Sequence, residues 1–258
     1  MNLNSYGFQL SGEDKILLRS VEDKINQSQK YFKPKFTFFL DERQCWLVKS
    51  VLDKSNFKDY FIYGGFDNAK RNMLAIAPLY SYVDFPVFPI VTLNFTFRKI
   101  DVLTHRDFLG SLMSLNIERK TIGDIIVGDG SAFVFACETV AETIYTNIKK
   151  IGKIGVEIFS DKPLDILVKQ EFEEIKGTVA SLRLDNIVSL ALNISREKSA
   201  LLVKNKGVAV NFETLYSVNH IMNENDTFSI KGFGKFVLST VNGVSKKGRI
   251  HITIFKFI

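Results

Sequence analysis

The stretch Ser181–Asn211, SLRLDNIVSLALNISREKSALLVKNKGVAVN, decides how the C-terminal third of this 258-residue chain is read. Leu184, Ile187, Val188 and Ala191 fall at i, i+3, i+4 and i+7, one apolar face of a short helix. Ser195 stands where an N-cap belongs, and a second short helix is expected from there to about Lys204. Lys204-Asn205-Lys206-Gly207 closes it, with glycine at a C-cap position. Val208–Asn211 then reads as a strand entering a turn. Arg183, Arg196, Lys198, Lys204 and Lys206 border this helix pair. A small rigid hairpin edged by cations suits a phosphate backbone, where neutralising charge releases counterions whatever the base sequence.

The surrounding charge agrees. Val179 to Ile258 holds 11 Lys and Arg against 5 Asp and Glu, so the whole net charge of +6 falls in this segment. The remaining residues balance. A segregated basic excess points to a polyanion more strongly than an even one. The plain alternative for any single cation here is a solvated helix face.

Upstream, Phe88–Phe97 (FPIVTLNFTF) reads as a strand. Thr104–Leu115 reads as a helix with Thr104 and Asp107 spaced as a capping box. Gly123–Val127, the turn Gly128-Asp129-Gly130 and Ser131–Cys137 read as a hairpin. A helix over Glu138–Lys149 and a last strand over Ile154–Phe159 complete the order β-α-β-β-α-β, the ferredoxin-like arrangement that RNA-recognition modules also use. The N-terminal part reads as helical from Gly12 to about Lys30, is interrupted at Pro34, and is helical again over Asp41–Asp53. Tyr60–Phe66 reads as a short strand ending in a glycine turn. Pro163 and the charged run Lys169–Lys176 (KQEFEEIK) mark a boundary at about 160–180, and the Glu-rich part can itself be a strand. After Asn211 a charged turn, Asn223–Asp226, precedes strands near Thr227–Lys231, Lys235–Leu238 and Arg249–Phe257. The expected class is α+β: an N-terminal, mostly helical α+β region (residues 1–80), a central ferredoxin-like domain resembling RNA-binding modules (81–165) and a C-terminal domain (178–258).

Several functions are disfavoured. Cys45 and Cys137 stand far apart without a CxxC pair or a Cys/His cluster, so no structural zinc, other metal or cofactor is expected. Cys137 ends the apolar run AFVFAC and is expected in the core. The N-terminus lacks a charged-then-apolar leader, and no stretch approaches the roughly 18 apolar residues of a membrane span. A reduced cytoplasmic setting and a monomer without membrane contact are expected.

Within the first stretch, Ser181, Arg183, Leu184 and Asp185, then Ser195-Arg196 with Ala200, then Gly207-Val208 with Val210-Asn211, resemble the S4 RNA-binding domain. The family commonly has a basic residue between the two valines. Here it is Ala209, so one phosphate contact is expected to be missing. Leu103–Val127 (LTHRDFLGSLMSLNIERKTIGDIIV) and the run Gly232-Phe233-Gly234-Lys235-Phe236 extend the likeness, and the chain resembles the YlmH family of bacteria over about residues 70–240. That resemblance implies a non-enzymatic RNA-binding protein with a central RNA-binding domain and a C-terminal S4 domain. It further implies rRNA and possibly tRNA as partners on the large ribosomal subunit, in rescue and quality control of stalled translation.

The expected RNA contacts are Arg183, Arg196, Lys198, Lys204 and Lys206. Arginine offers a bidentate fork to phosphate and lysine a point charge. Ser195 caps a helix whose N-terminal N–H groups can face a phosphate. Asp185 is expected to orient Arg183 or Arg196, and the resemblance adds Asn211. Lys235 lies beside a glycine turn that lacks phosphate-loop spacing. Arg106, Arg119 and Lys120 form a second candidate patch in the YlmH-like string. His105-Arg106-Asp107 has no neighbouring nucleophile and reads as a helix start rather than a catalytic group. Phe95 with Phe97, and Phe133 with Phe135, are same-face pairs, more readily core than base-stacking platforms. The alternative is an RNA-modifying enzyme, or an accessory to one, with an S4 targeting domain. No pseudouridine-synthase aspartate motif and no glycine-rich methyltransferase loop supports it.

Overall fold

The computed structural model describes residues 10–78, 85–159, 172–245 and 248–258. Pro163 and the first residues of the charged run after it lie outside that set. The chain divides into two compact units, Met1–Leu167 and Val168–Ile258.

The first unit opens with α1 (Gly12–Tyr31), whose start is set by a capping box between Ser11 and Asp14. Asp14 is buried, and Arg43 grips both its oxygens at 2.7 Å. That guanidinium holds the Asp14 carboxyl well below the usual carboxylate range. Then come β1 (Lys35–Phe36), α2 (Glu42–Lys54, capped by Asp41), β2 (Tyr60–Tyr63) and β3 (Met73–Ile76). The three strands form an antiparallel sheet of order β1-β3-β2. The N-terminal region is thus helix plus sheet.

Next are β4 (Ile90–Thr96), α3 (His105–Met113), β5 (Ile122–Gly128), β6 (Ser131–Cys137), α4 (Glu138–Asn147), β7 (Lys150–Ile151), β8 (Ile154–Gly155) and β9 (Glu157–Phe159). Their four-stranded antiparallel sheet has the order β5-β6-β4-β9. The first and third strands of the β-α-β-β-α-β unit are central and the second and fourth are edges, which is the ferredoxin-like arrangement. The strand expected over Ile154–Phe159 is two pieces. Val156 turns inward, its N–H donates to the Lys149 carbonyl, and β8 pairs with β7 while β9 pairs with β4.

Alternation on the strands sorts the side chains into layers. On β6, Ala132, Val134 and Ala136 join Phe95, Phe108, Leu112 and Ile144 under α3 and α4. Phe135 and Cys137 point the other way and share a core with Phe39, Met73, Ala75 and Phe88. On β3, Leu74 and Ile76 face Leu18, Val21, Leu47 and Val51 of α1 and α2. The result is four layers: α1 and α2, the three-stranded sheet, the four-stranded sheet, then α3 and α4. A Cβ on Gly123 would stand 2.6 Å from the Phe39 ring, a measure of how closely the layers approach there.

The second unit begins with β10 (Phe172–Val179), so the Glu-rich segment is a strand. It continues with α5 (Leu184–Ala191), α6 (Arg196–Lys206), β11 (Val208–Val210), β12 (Glu213–Leu215), β13 (Thr227–Ile230), β14 (Gly234–Val244) and β15 (Ile250–Phe257). The antiparallel sheet has the order β10-β15-β14-β13-β11-β12. Leu184, Ile187 and Val188 of α5 and Val203 of α6 pack on Val208, Phe228, Phe236 and Ile254 of its inner face. The molecule is α+β throughout.

Candidate nucleic-acid interface

Three contacts make the α5–α6 hairpin rigid. Ser195 accepts a hydrogen bond from the Lys198 N–H and starts α6. Gly207, at φ 71°, ends it. Fully buried Ser199 donates from Oγ to the Asp185 carbonyl at 2.6 Å, fastening α6 to the first turn of α5.

Asp185 organises the mouth of the hairpin. Its side chain is 6% exposed and accepts two bonds from Arg183, from Nε at 3.0 Å and from Nη2 at 3.1 Å. Arg196 Nη2 lies 3.8 Å from the same carboxylate. One buried anion therefore binds the Arg183 guanidinium by two hydrogen bonds and has that of Arg196, 13 residues on in the chain, within ion-pair distance. Arg196 remains 62% exposed. It also borders a polar cleft of about 230 Å³ with Asn186, Ser189, Asn193 and Arg249. Arg249 donates to the Thr178 carbonyl at 2.6 Å and shapes the other wall.

The lysines divide. At 3.6 residues per turn, Lys204 stands about 80° around α6 from Arg196, whereas Lys198 is about 160° away. Arg196 and Lys204 can thus serve one ligand face, with Lys198 on the far side. All three, with Lys206, are exposed. Asn211 turns inward: its amide donates to Asp226 at 2.7 Å and accepts from the Thr227 N–H at 3.0 Å. Lys235 is half-buried, its Nζ over the rings of Phe257 and Phe212.

In the first unit, Thr104 and Asp107 form the capping box of α3, with Arg106 exposed in its first turn. Lys120 pairs with Glu118 at 2.7 Å and lies over Phe38. Arg119 is half-buried. Its Nη1 donates to the Ile122 and Gly123 carbonyls, and burial beside Arg71 lowers its pKa to about 10. It is a strut of the β5 edge, unlike the exposed contact its sequence position promised. Burial pushes the Cys45 thiol up to about 12 and the Cys137 thiol up to about 11. Among the described residues no cluster of three His, Cys, Asp or Glu is placed to hold a metal, and no helix is long and apolar enough to cross a membrane.

Sequence reasoning missed Ser199 and Arg249. Ser199 had a signal, a hydroxyl four residues before Val203 on the buried face of α6. Arg249 had none, because its partner Thr178 is 71 residues away.

Fold and site together define a class: an α+β protein with a ferredoxin-like unit, followed by a cation-edged helical hairpin seated on an antiparallel sheet. Residues 84–165 match the family model described as "Putative RNA-binding domain in YlmH". The chain is 30% identical over 227 residues to the Ribosome-associated protein quality control protein P2 of Bacillus subtilis (strain 168), covering 87% of this chain and 88% of that one. It also shares the fold of the Cell division protein ylmH from Streptococcus pneumoniae, with a TM-score of 0.52 at 23% identity, over 60% of this chain and 94% of that one. The chain belongs to the YlmH family.

Proposed function

We propose that this chain is a non-enzymatic, cytoplasmic RNA-binding protein, acting as a monomer. It holds structured rRNA, with tRNA beside it, on the large ribosomal subunit in rescue and quality control of stalled translation. Its C-terminal unit works as an S4 domain. The observation that carries the reading is the Arg183–Asp185–Arg196 cluster: a buried carboxylate hydrogen-bonds one guanidinium and pairs with a second at the mouth of the hairpin. Such a surface needs no chemistry; it clamps phosphate by shape and charge. The RNA-binding description of the matched family model and the ribosome-associated name of the Bacillus relative support it.

The test is co-sedimentation with 30S, 50S and 70S particles through sucrose, with an Arg196→Glu/Lys204→Glu variant alongside. Comigration with the 50S particle is expected, weakened by salt and abolished in the variant. Absence of binding to every particle would sink the ribosomal reading.

A further inference from the structure

RNA-recognition modules with this strand order bind single strands by stacking bases on aromatic side chains of an open sheet face. In this chain the centre of the four-stranded sheet is covered on both faces, and on the Phe133 side Phe159 of the β9 edge stays 45% exposed. Phe135 is fully buried against Phe39 and Met73, with Phe66 stacked on it at 4.8 Å, and Phe133 packs into the same layer. Phe95, on the other face, is fully buried against Phe108. At the centre of the sheet a base could stack on either face only by parting a hydrophobic core. Contact with RNA is left to edges and loops, where phosphate recognition is available.

The α4–β7–β8 connection carries that chemistry. It reads Lys149-Lys150-Ile151-Gly152-Lys153. Ile151 is fully buried in the core beneath α3 and anchors the turn. The Gly152 N–H donates to Ser111 Oγ of α3 at 3.2 Å. The backbone is therefore fixed while Lys149, Lys150 and Lys153 are exposed, and none forms an ion pair with a described carboxylate. Between the turn and α3 runs a groove of about 530 Å³, lined by Ser111, Ser114, Asn147, Lys149 and Lys150 without a carboxylate. Lys149 also borders a second groove with Arg98, but Glu157 lines that one and Asp101 already holds Arg98.

We infer that this lysine turn and its groove against α3 form a second RNA site, one that takes the phosphate backbone of a structured RNA rather than its bases. The inference rests on the RNA-binding reading above and assigns the central unit's share of it. Two lysines on a pinned turn, above a groove without a carboxylate, match a run of phosphates in charge, and their ammonium groups supply the hydrogen-bond donors.

The test uses the full chain and an end-labelled RNA stem-loop, with affinity measured by fluorescence anisotropy across a potassium chloride series. The variants are Lys149→Ala/Lys150→Ala, Lys149→Glu/Lys150→Glu, Arg196→Glu and, as a control on the exposed face of α1, Lys15→Glu. Circular dichroism melts establish that each is folded. The double alanine variant is expected to flatten the slope of log affinity against log salt by about 1–2, close to one for each phosphate no longer neutralised. The double glutamate variant is expected to bind about 10-fold more weakly or worse at low salt. Lys15→Glu keeps the wild-type slope. Lysine variants with wild-type affinity and slope, beside a weakened Arg196→Glu, would overturn this site and leave the hairpin site standing. Failure of the wild type itself to bind the stem-loop would overturn the RNA reading and this site with it.

Discussion

Asp185 is an anion between two arginines, at the place proposed for RNA phosphate. Taken as a charge alone it should repel RNA, and replacing it should tighten binding. The geometry reverses that sign. The carboxylate is nearly buried and spends its oxygens on Arg183, with Arg196 within reach. Its effect on a ligand is therefore the alignment of two forks, and charge-assisted bonds of this kind are directional. Asp185→Asn is expected to weaken binding to an RNA stem-loop about 10-fold although the net positive charge rises, which is about 1.4 kcal/mol. Titration by anisotropy checks it, and tighter binding would show that charge alone governs the site. Which basic side chains stay at the surface was only partly legible. Arg183 and Arg196 stand at two helix starts and meet at Asp185. Arg119 has an equally basic address yet turns inward to two carbonyls, because a long arginine stem reaches either way and neighbouring residues in the sequence do not say which.

At the level of elements the local signals were strong. Ser11 with Asp14, Asp41 with Gln44, and Thr104 with Asp107 all form capping boxes, and the helices begin where those pairs place them. Ser195 caps α6 by its side chain alone. Ser195→Ala is expected to cost about 1 kcal/mol, read as a lowered denaturation midpoint with an unchanged slope. The same variant is expected to weaken RNA binding, since the Arg196 end of α6 frays. Short strands were less legible. β1, β7 and β8 have two residues each, too few to show a period of two. The break in the expected strand over Ile154–Phe159 is caused by Val156 entering the core, a demand of packing that alternation does not reveal.

At the scale of the molecule, the first unit is a stack in which each sheet closes the other. Phe135 lies in the layer between them, with Phe39, Met73 and Ala75 across from it. Phe135→Ala is expected to destabilise this unit by about 3–5 kcal/mol, the cost of a large cavity in a core with close layers. Hydrogen exchange is the informative readout: β3 and β6 are expected to lose protection together. Loss confined to β6 would show that the two sheets are independently stable. The same stacking covers the centre of the sheet and leaves the lysine turn exposed.

The sequence by itself determined the α+β class, the helix starts, the β-α-β-β-α-β order, the helical hairpin and the concentration of positive charge in the last third. Each of these is written in contacts three or four residues apart, in strand alternation or in composition, so they are present in the chain before it folds. Only the tertiary structure decided which face of each strand is covered and by what. A period of two declares that a strand has two faces, but whether solvent, a helix or another sheet meets each one depends on segments far away. Phe39 meets Phe135 across such a distance, and so do Thr178 and Arg249. Hydrophobic burial is not directional, and the winning arrangement is the one that encloses the most apolar surface at native packing density. That competition turned the central sheet from an open platform into the middle of a stack, and left its lysine turn exposed.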